Sequence, residues 1–284
     1  MSHIKIGILG TGVMGKQVAL LCASHNIRVI VWNHIYHPES TDEIRKMAVL
    51  QSRLATIDKD RIDSVLEHIT FVEDIKELAS CNFIFEAVTE DIAIKSGIMK
   101  QVSSIISDTA IVSSNTSTLS ITSLASLIND PSRFVGVHFF NPPFAMKLVE
   151  VVRGEYTSEE TVSFVVDFLA ILKKHPVILP ETPGFVVNRL LFPMINEAIF
   201  LLAEDVSDAK TIDSCMKLGA NHPMGPLELA DLIGLDVCLS ILETLVAETG
   251  DGKYRPAPLL RKNVRAGKLG KKSGSGFYTY RKKG

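Results

Sequence analysis

The sequence predicts an α/β protein: a mostly parallel β-sheet with helices between its strands, then a second domain that is all helix. Three observations carry this expectation. Short apolar runs recur at residues 4–9, 27–32, 83–88, 110–113 and 134–138, with helical or polar stretches between them. Continuous apolar runs of that length suit strands covered on both faces by helices. The string Pro180-Glu181-Thr182-Pro183-Gly184 is a strong breaker. Beyond it helical periodicity dominates, and the domain boundary is expected there, giving domains 1–183 and 184–284.

The elements follow in order. Residues 4–9 form a strand ending in Gly10, and 13–25 a helix with Val13, Met14, Val18, Leu21 and Cys22 near helical spacing. Residues 27–32 (IRVIVW) complete a β–α–β unit. The polar, periodic stretch 40–67 suggests two helices broken near 56–59. A helix over 92–106 separates two of the later strands, and 148–152 is a further strand. Thr157 with Glu160 resembles a capping box opening a helix that ends near Leu172. A short strand over 177–179 precedes the breaker. The second domain reads as helices over 186–203, 208–218, 227–233 and 236–249, with one β-like run at 277–280.

Composition narrows the function. The chain has 284 residues, 46 % hydrophobic, and a net charge of −2. That length suits two domains with sizeable cores. No basic excess points to nucleic acid or an anionic membrane. The Lys-rich end (Lys271, Lys272, Arg281, Lys282, Lys283) reads as a solvated tail. Cys22, Cys81, Cys215 and Cys238 are scattered without metal-ligand spacing, so no metal site is expected. With no signal peptide or membrane span in sight, a cytoplasmic location is expected.

Gly10-Thr11-Gly12-Val13-Met14-Gly15 is a G-x-G-x-x-G string that follows a strand and opens a helix. In that context it marks a dinucleotide site on a Rossmann-type domain. Gly10 permits the tight turn, Gly12 admits the pyrophosphate, and Gly15 lets the helix pack on the sheet. The second strand ends in Asn33, not the acid that usually holds the adenosine ribose. Asn33 can bond a hydroxyl and does not repel a 2′-phosphate. NAD is expected, with NADP permitted.

Polar groups also cluster where strands end. They are Ser113 to Ser117 (with Asn115), His138 to Asn141, Lys147 to Glu150, and Asn188-Arg189 past the breaker. Glu150 lies inside an apolar strand, where a carboxylate is costly unless paired. A His138–Glu150 pair satisfies both groups and fixes the imidazole tautomer.

The stretches GILGTGVMG, EAVTEDIAIK, SSNTSTLSIT, HFFNPPFAMKLVEVV, TPGFVVNRLL, LGANHPMGPLELADLIGLD and GKKSGSGFY together resemble the 3-hydroxyacyl-CoA dehydrogenase family, most closely its short bacterial 3-hydroxybutyryl-CoA branch. They span nearly the whole chain. The resemblance implies (S)-3-hydroxybutyryl-CoA + NAD(P)+ ⇌ acetoacetyl-CoA + NAD(P)H. It implies His138 as general base and Glu150 as its orienting partner, with Ser117 and Asn188 bonding the reacting oxygen. It implies cofactor contacts from Glu90, Lys95, Asn115, Ser117, Asn141 and Lys272, beside Gly10, Gly12, Val13, Met14, Gly15 and Asn33. It also implies a homodimer through the helical domain, whose apolar residues Leu190, Leu191, Met194, Ile195, Ile199 and Leu201 are either core or subunit contacts.

The segment between Asn33 and Ile69 is shorter than its counterpart in the family, where a helical hairpin helps hold CoA. An acyl carrier protein is therefore a second candidate carrier, and a free hydroxy acid a further alternative. Arg45, Lys46, Arg53, Lys59 and Arg61 are an expected anion-contacting face, with a solvated helix surface as the other reading. A non-catalytic, crystallin-like protein is disfavoured by the intact Ser117, His138, Glu150 and Asn188 set.

Overall fold

The computed structural model describes residues 4–35 and 39–280. Arg281, Lys282 and Lys283 of the Lys-rich end lie outside the described residues. The chain divides into two compact units, Met1–Thr182 and Pro183–Gly284.

The first unit is built on an eight-stranded sheet. Its strands are β1 (Lys5–Leu9), β2 (Arg28–Trp32), β3 (Ile69–Val72), β4 (Phe83–Glu86), β5 (Ile111–Ser114), β6 (Phe134–Phe139), β7 (Leu148–Arg153) and β8 (His175–Pro180). Their order is β3-β2-β1-β4-β5-β6-β7-β8. Every neighbouring pair is parallel except β6 and β7. In β4, β5 and β6 every residue is buried, as a sheet covered on both faces requires.

Helices α1 (Val13–Ser24), α2 (Glu39–Arg53), α3 (Ile62–Leu66), α4 (Ile92–Ser103), α5 (Ile121–Ala125) and α6 (Glu159–Ile171) connect these strands. α1 and the strands it crosses share one core with α6. Val18, Leu20, Phe83, Phe85, Val137 and Phe168 in that core are all but inaccessible. Each such side chain contributes about 1.5–3 kcal/mol of transfer free energy.

Several local expectations are corrected. The cap of α6 is Ser158, whose Oγ accepts the Thr161 N–H at 3.2 Å. Thr157 instead donates to the Phe134 carbonyl at 2.7 Å and accepts from Gly154 N, so its hydroxyl is committed to the sheet. Ile69–Val72 is an edge strand that the polar periodicity before it obscured. Residues 277–280 form no strand. Asp231 takes the backbone N–H groups of Phe277 and Tyr278, each at 2.9 Å, in place of a ladder.

The second unit is helical: α7 (Val187–Ala203), α8 (Ala209–Gly219), α9 (Pro226–Ile233), α10 (Leu235–Thr249) and α11 (Pro258–Arg265). Its core is Phe192, Ile195, Ile199, Leu227, Leu235, Leu242, Tyr254 and Leu260 with their neighbours. Two buried acids hold it together. Asp213 accepts the first-turn N–H groups of α9, Leu227 at 2.8 Å and Glu228 at 2.9 Å, and takes the Tyr278 hydroxyl at 2.7 Å. Asp231 takes the Tyr280 hydroxyl at 3.1 Å besides its two backbone donors. Burial pushes the Asp231 carboxyl above the usual range, despite those donors.

No described helix is long and apolar enough to cross a membrane. Among the described residues no group of His, Cys, Asp and Glu could hold a metal ion.

Candidate active site

Because β1, β4, β5 and β6 are mutually parallel, the segments leaving their C-terminal ends lie along one edge of the sheet. That edge is where open α/β sheets bind ligands.

The turn after β1 is forced by contact. Gly10 has φ +105°, and a Cβ there would stand 2.8 Å from the Ala87 carbonyl oxygen. A Cβ on Gly15 would stand 2.1 Å from the Gly10 oxygen. Gly12 is different: a Cβ there would meet nothing closer than 3.9 Å, so the space in front of it is open. α1 begins at Gly12 with no side-chain cap and no acidic residue in its first turn. Its N–H groups and dipole are therefore available to an anion. The turn borders a cavity of about 440 Å³ that extends past Trp32, Asn33 and His34 to Glu39 and Glu43 on α2, with Ala87 to Thr89 and Ile94 opposite. An uncapped helix start, an open glycine and an adjoining cavity lined by the end of β2 fit a dinucleotide.

The loops after β4 and β5 are tied by a buried ionic network. Glu86, at the end of β4, is fully buried and accepts Val88 N at 2.7 Å, Lys95 Nζ at 2.6 Å and Ser114 Oγ at 2.5 Å. Lys95, on α4 and 1 % exposed, also reaches Glu90 Oε2 at 3.1 Å. Glu90 accepts Ser117 N at 3.0 Å, Thr118 Oγ1 at 3.2 Å and the Thr116 hydroxyl. Burial raises the Glu90 carboxyl, but Lys95, the Thr116 hydroxyl and the Ser117 N–H outweigh burial and hold it below the ordinary carboxylate range. Sequence reading missed Glu86. The signal that singled out Glu150, a carboxylate inside an apolar strand, was present in FIFE as well.

β5 and β6 are joined by Asn115, whose Oδ1 accepts the Phe139 N–H at 2.9 Å. Immediately before Phe139 stands His138, in register with Glu150 on β7. Cross-strand partners project to the same face of a sheet. His138 Nδ1 lies 2.8 Å from Glu150 Oε2, with the side chains 9 % and 2 % exposed. The Phe140 ring stacks obliquely on the imidazole at 4.6 Å between centroids. An ionised Glu150 takes a proton-bearing Nδ1, which leaves Nε2 as the basic nitrogen of the ring.

The other expected residues are placed as follows. Val13 is 57 % exposed, and Met14 packs against the core of the first unit. Asn33 lines the cavity and donates to the Ile35 carbonyl at 3.0 Å. Asn141 Oδ1 accepts Gln17 Nε2 at 3.1 Å, which links the loop after β6 to α1. Oε1 of Gln17 is buried with no hydrogen-bond partner. Asn188, 7 % exposed, lies in the first turn of α7 in the helical unit. Lys272 belongs to that unit too and pairs with Asp236 at 2.6 Å. The basic residues of 45–61 are exposed, with Arg45 on Asp63 at 2.7 Å and Arg61 on Asn26 at 2.9 Å.

Residues 5–182 match the model of the NAD-binding domain of 3-hydroxyacyl-CoA dehydrogenase, and residues 184–280 match that of its C-terminal domain. The chain belongs to the 3-hydroxyacyl-CoA dehydrogenase family. A probable 3-hydroxybutyryl-CoA dehydrogenase of Deinococcus radiodurans is 45 % identical over 98 % of this chain and 100 % of its own. A 3-hydroxybutyryl-CoA dehydrogenase of Bradyrhizobium diazoefficiens is 42 % identical over 98 % of this chain and 95 % of its own. The crystal structure of (S)-3-hydroxybutyryl-CoA dehydrogenase PaaH1 from Ralstonia eutropha superposes with a TM-score of 0.93 at 40 % identity, covering 98 % of this chain and 99 % of that one. The family's first domain binds NAD, so the cavity beside Gly12 belongs to an NAD-binding domain.

Proposed function

We propose that this chain is an NAD-dependent dehydrogenase interconverting a short-chain (S)-3-hydroxyacyl-CoA, such as (S)-3-hydroxybutyryl-CoA, and its 3-ketoacyl partner. The observation that carries this reading is the buried His138–Glu150 pair, at the sheet edge that also carries the glycine turn. The names of relatives up to 45 % identical over the full chain support the substrate class.

Bound along the cavity, NAD supplies the acceptor for the C3 hydride. Gly10, Gly12 and Gly15 shape the cleft that would hold it, and Asn33 would hydrogen-bond a ribose hydroxyl. His138 Nε2 takes the C3 hydroxyl proton as that hydride departs, and in reverse the imidazolium returns it to the forming alkoxide. Glu150 holds the ring in the required tautomer and balances its charge. Ser117, whose backbone N–H is held by Glu90, donates to the reacting oxygen, and the role of Asn188 rests on the family resemblance alone. A base so placed contributes about 10²–10⁴-fold. Lys95, Asn115 and Asn141 support the loops beside the cavity.

The protein works as a homodimer through its helical unit. Ile195 and Ile199 are used up in that unit's own core, but Leu190 and Leu218 stand 71 % and 89 % exposed. Sedimentation at micromolar concentration gives a dimer, and a monomer there refutes it. An acyl carrier protein is the alternative donor, favoured by the exposed cations Lys46, Arg53 and Lys59. Initial rates of NADH oxidation with acetoacetyl-CoA, acetoacetyl carrier protein and free acetoacetate decide the carrier. Absence of turnover with all three ends the proposal.

A further inference from the structure

The loop over 140–147 joins β6 to β7, between the base His138 and its partner Glu150. It is held from three sides. Asn115 Oδ1 takes the Phe139 N–H where the loop begins. Lys174, just before β8, donates to the carbonyls of Pro143 and Met146, the second at 3.0 Å. Gln17, in the second turn of α1, donates through Nε2 to Asn141 Oδ1 at 3.1 Å. This third tie has an unmet group behind it. Gln17 Oε1 is buried and finds no donor among the described residues. A buried acceptor left unmet is destabilising, so its retention calls for a reason. Exchanging oxygen and nitrogen in both amides would keep the bond between them. It would also put the Gln17 amino group, with two N–H groups, in the same partnerless place. Orphaned N–H groups are rarer in folded proteins than under-satisfied carbonyl oxygens. Asn141 therefore gives its oxygen to Gln17. Its amino group has no acceptor among the described residues, and the residue is exposed.

We propose that Gln17 is a positioning residue for cofactor binding: it fixes the Asn141 amide so that Nδ2 is the donor offered to an oxygen of the nicotinamide nucleotide. Gln17 stands one turn beyond Val13, on the helix that starts at the glycine turn. Asn141 stands three residues after His138. A dinucleotide with its phosphates at the start of α1 and its reacting ring beside His138 spans these two points, and Asn141 is tied to both. Gln17 touches no reacting atom and acts only through Asn141. An amide held in its binding orientation beforehand loses less freedom when the cofactor arrives.

This rests on the dehydrogenase reading above, and the test separates the two. Trp32 is the single tryptophan of the chain and lines the cavity, so quenching of its fluorescence reports NADH binding without turnover. NADH is titrated into the wild type and the Q17M, Q17E, N141A, Q17M/N141A and Q17E/N141A proteins, with a melting curve for each. N141A and Q17M are each expected to weaken NADH binding about fivefold, the worth of one hydrogen bond, and Q17M/N141A to be no weaker than N141A alone. Q17M melts no lower than the wild type, because methionine removes the unmet oxygen; a merely structural residue would show the reverse pattern. Q17E can only accept, so Asn141 must turn Nδ2 inward to meet it. Q17E therefore binds NADH about threefold more weakly than Q17M, and this excess shrinks in the N141A background, where only the added charge remains. Losses that multiply in Q17M/N141A, an excess of Q17E over Q17M that N141A leaves unchanged, or wild-type NADH affinity in Q17M overturns the proposal. A wild type that binds NADH but leaves acetoacetyl-CoA unreduced defeats the substrate reading alone. A wild type that binds no NADH overturns both.

Discussion

His138 and Glu150 are direct cross-strand partners in the antiparallel pair of an otherwise parallel sheet, with Nδ1 2.8 Å from Oε2. Chain reversal between β6 and β7 brings the carboxylate back beside the imidazole. Replacing His138 by Ala is expected to lower kcat for acetoacetyl-CoA reduction about 10²–10⁴-fold, with NADH binding retained. Glu150→Gln keeps the volume but loses the charge that orders the ring, so its kcat falls by a smaller factor. Steady-state rates together with NADH titration check this, and wild-type turnover by His138→Ala would remove the base assignment.

The glycine turn separates packing from binding. Gly15→Ala places a methyl group against the Gly10 carbonyl, so the turn must shift, at about 1–3 kcal/mol. Gly12→Ala places its methyl group 3.9 Å from the nearest atom, so thermal stability is kept and NADH affinity drops through occlusion. Melting curves and cofactor titrations on the two proteins should give these opposite patterns.

Lys95 neutralises a fully buried Glu86. Lys95→Met leaves that carboxylate unpaired, at an expected cost of about 3–5 kcal/mol. The double change Glu86→Gln/Lys95→Met removes both charges and is expected to recover much of it. Urea denaturation midpoints test the pair. A double variant no more stable than Lys95→Met alone contradicts the network.

Glu90 gives the protein an acid sensitivity. Its carboxyl lies below the ordinary range in the folded chain, because Lys95, Thr116 and Ser117 favour the ionised form. The folded state therefore binds this proton less readily than the unfolded chain. The resulting stability is present above the ordinary carboxylate range and is lost as pH falls through it to the depressed value. Glu90→Gln is expected to flatten that part of the curve. Melting temperatures between pH 7 and pH 3, wild type against variant, provide the measurement.

Much of this was legible in the sequence, because each site-bearing strand is an apolar run that stops at a polar residue. Gly10, Ser114, His138 and Glu150 are such stops or interruptions. Other features were hidden for physical reasons. Ile69–Val72 is an apolar run of only four residues directly after a polar helical stretch, too short for its periodicity to mark it as a strand. α11 is only eight residues long and fully buries Leu260 alone, with Leu259 and Val264 packed partly buried against the core, so its apolar stripe is too short to stand out. Ser158 and Thr157 are adjacent residues either of which could cap α6, and only the Phe134 carbonyl, distant in sequence, decides between them. The ion pair of Lys16 on α1 with Glu43 on α2 depends on α2 lying against α1, a juxtaposition that no local pattern encodes.

The clasp of Asp213 and Asp231 on the segment around Tyr278 bears on the order of folding. The Tyr278 hydroxyl reaches Asp213 across 65 positions of chain, and the Tyr278 N–H reaches Asp231 across 47. Helices form in about a microsecond from neighbouring residues, but these acids must wait for a large loop to close. The helical unit is thus expected to pass through a stage in which α8 and α9 are wound while Asp213 and Asp231 still face water.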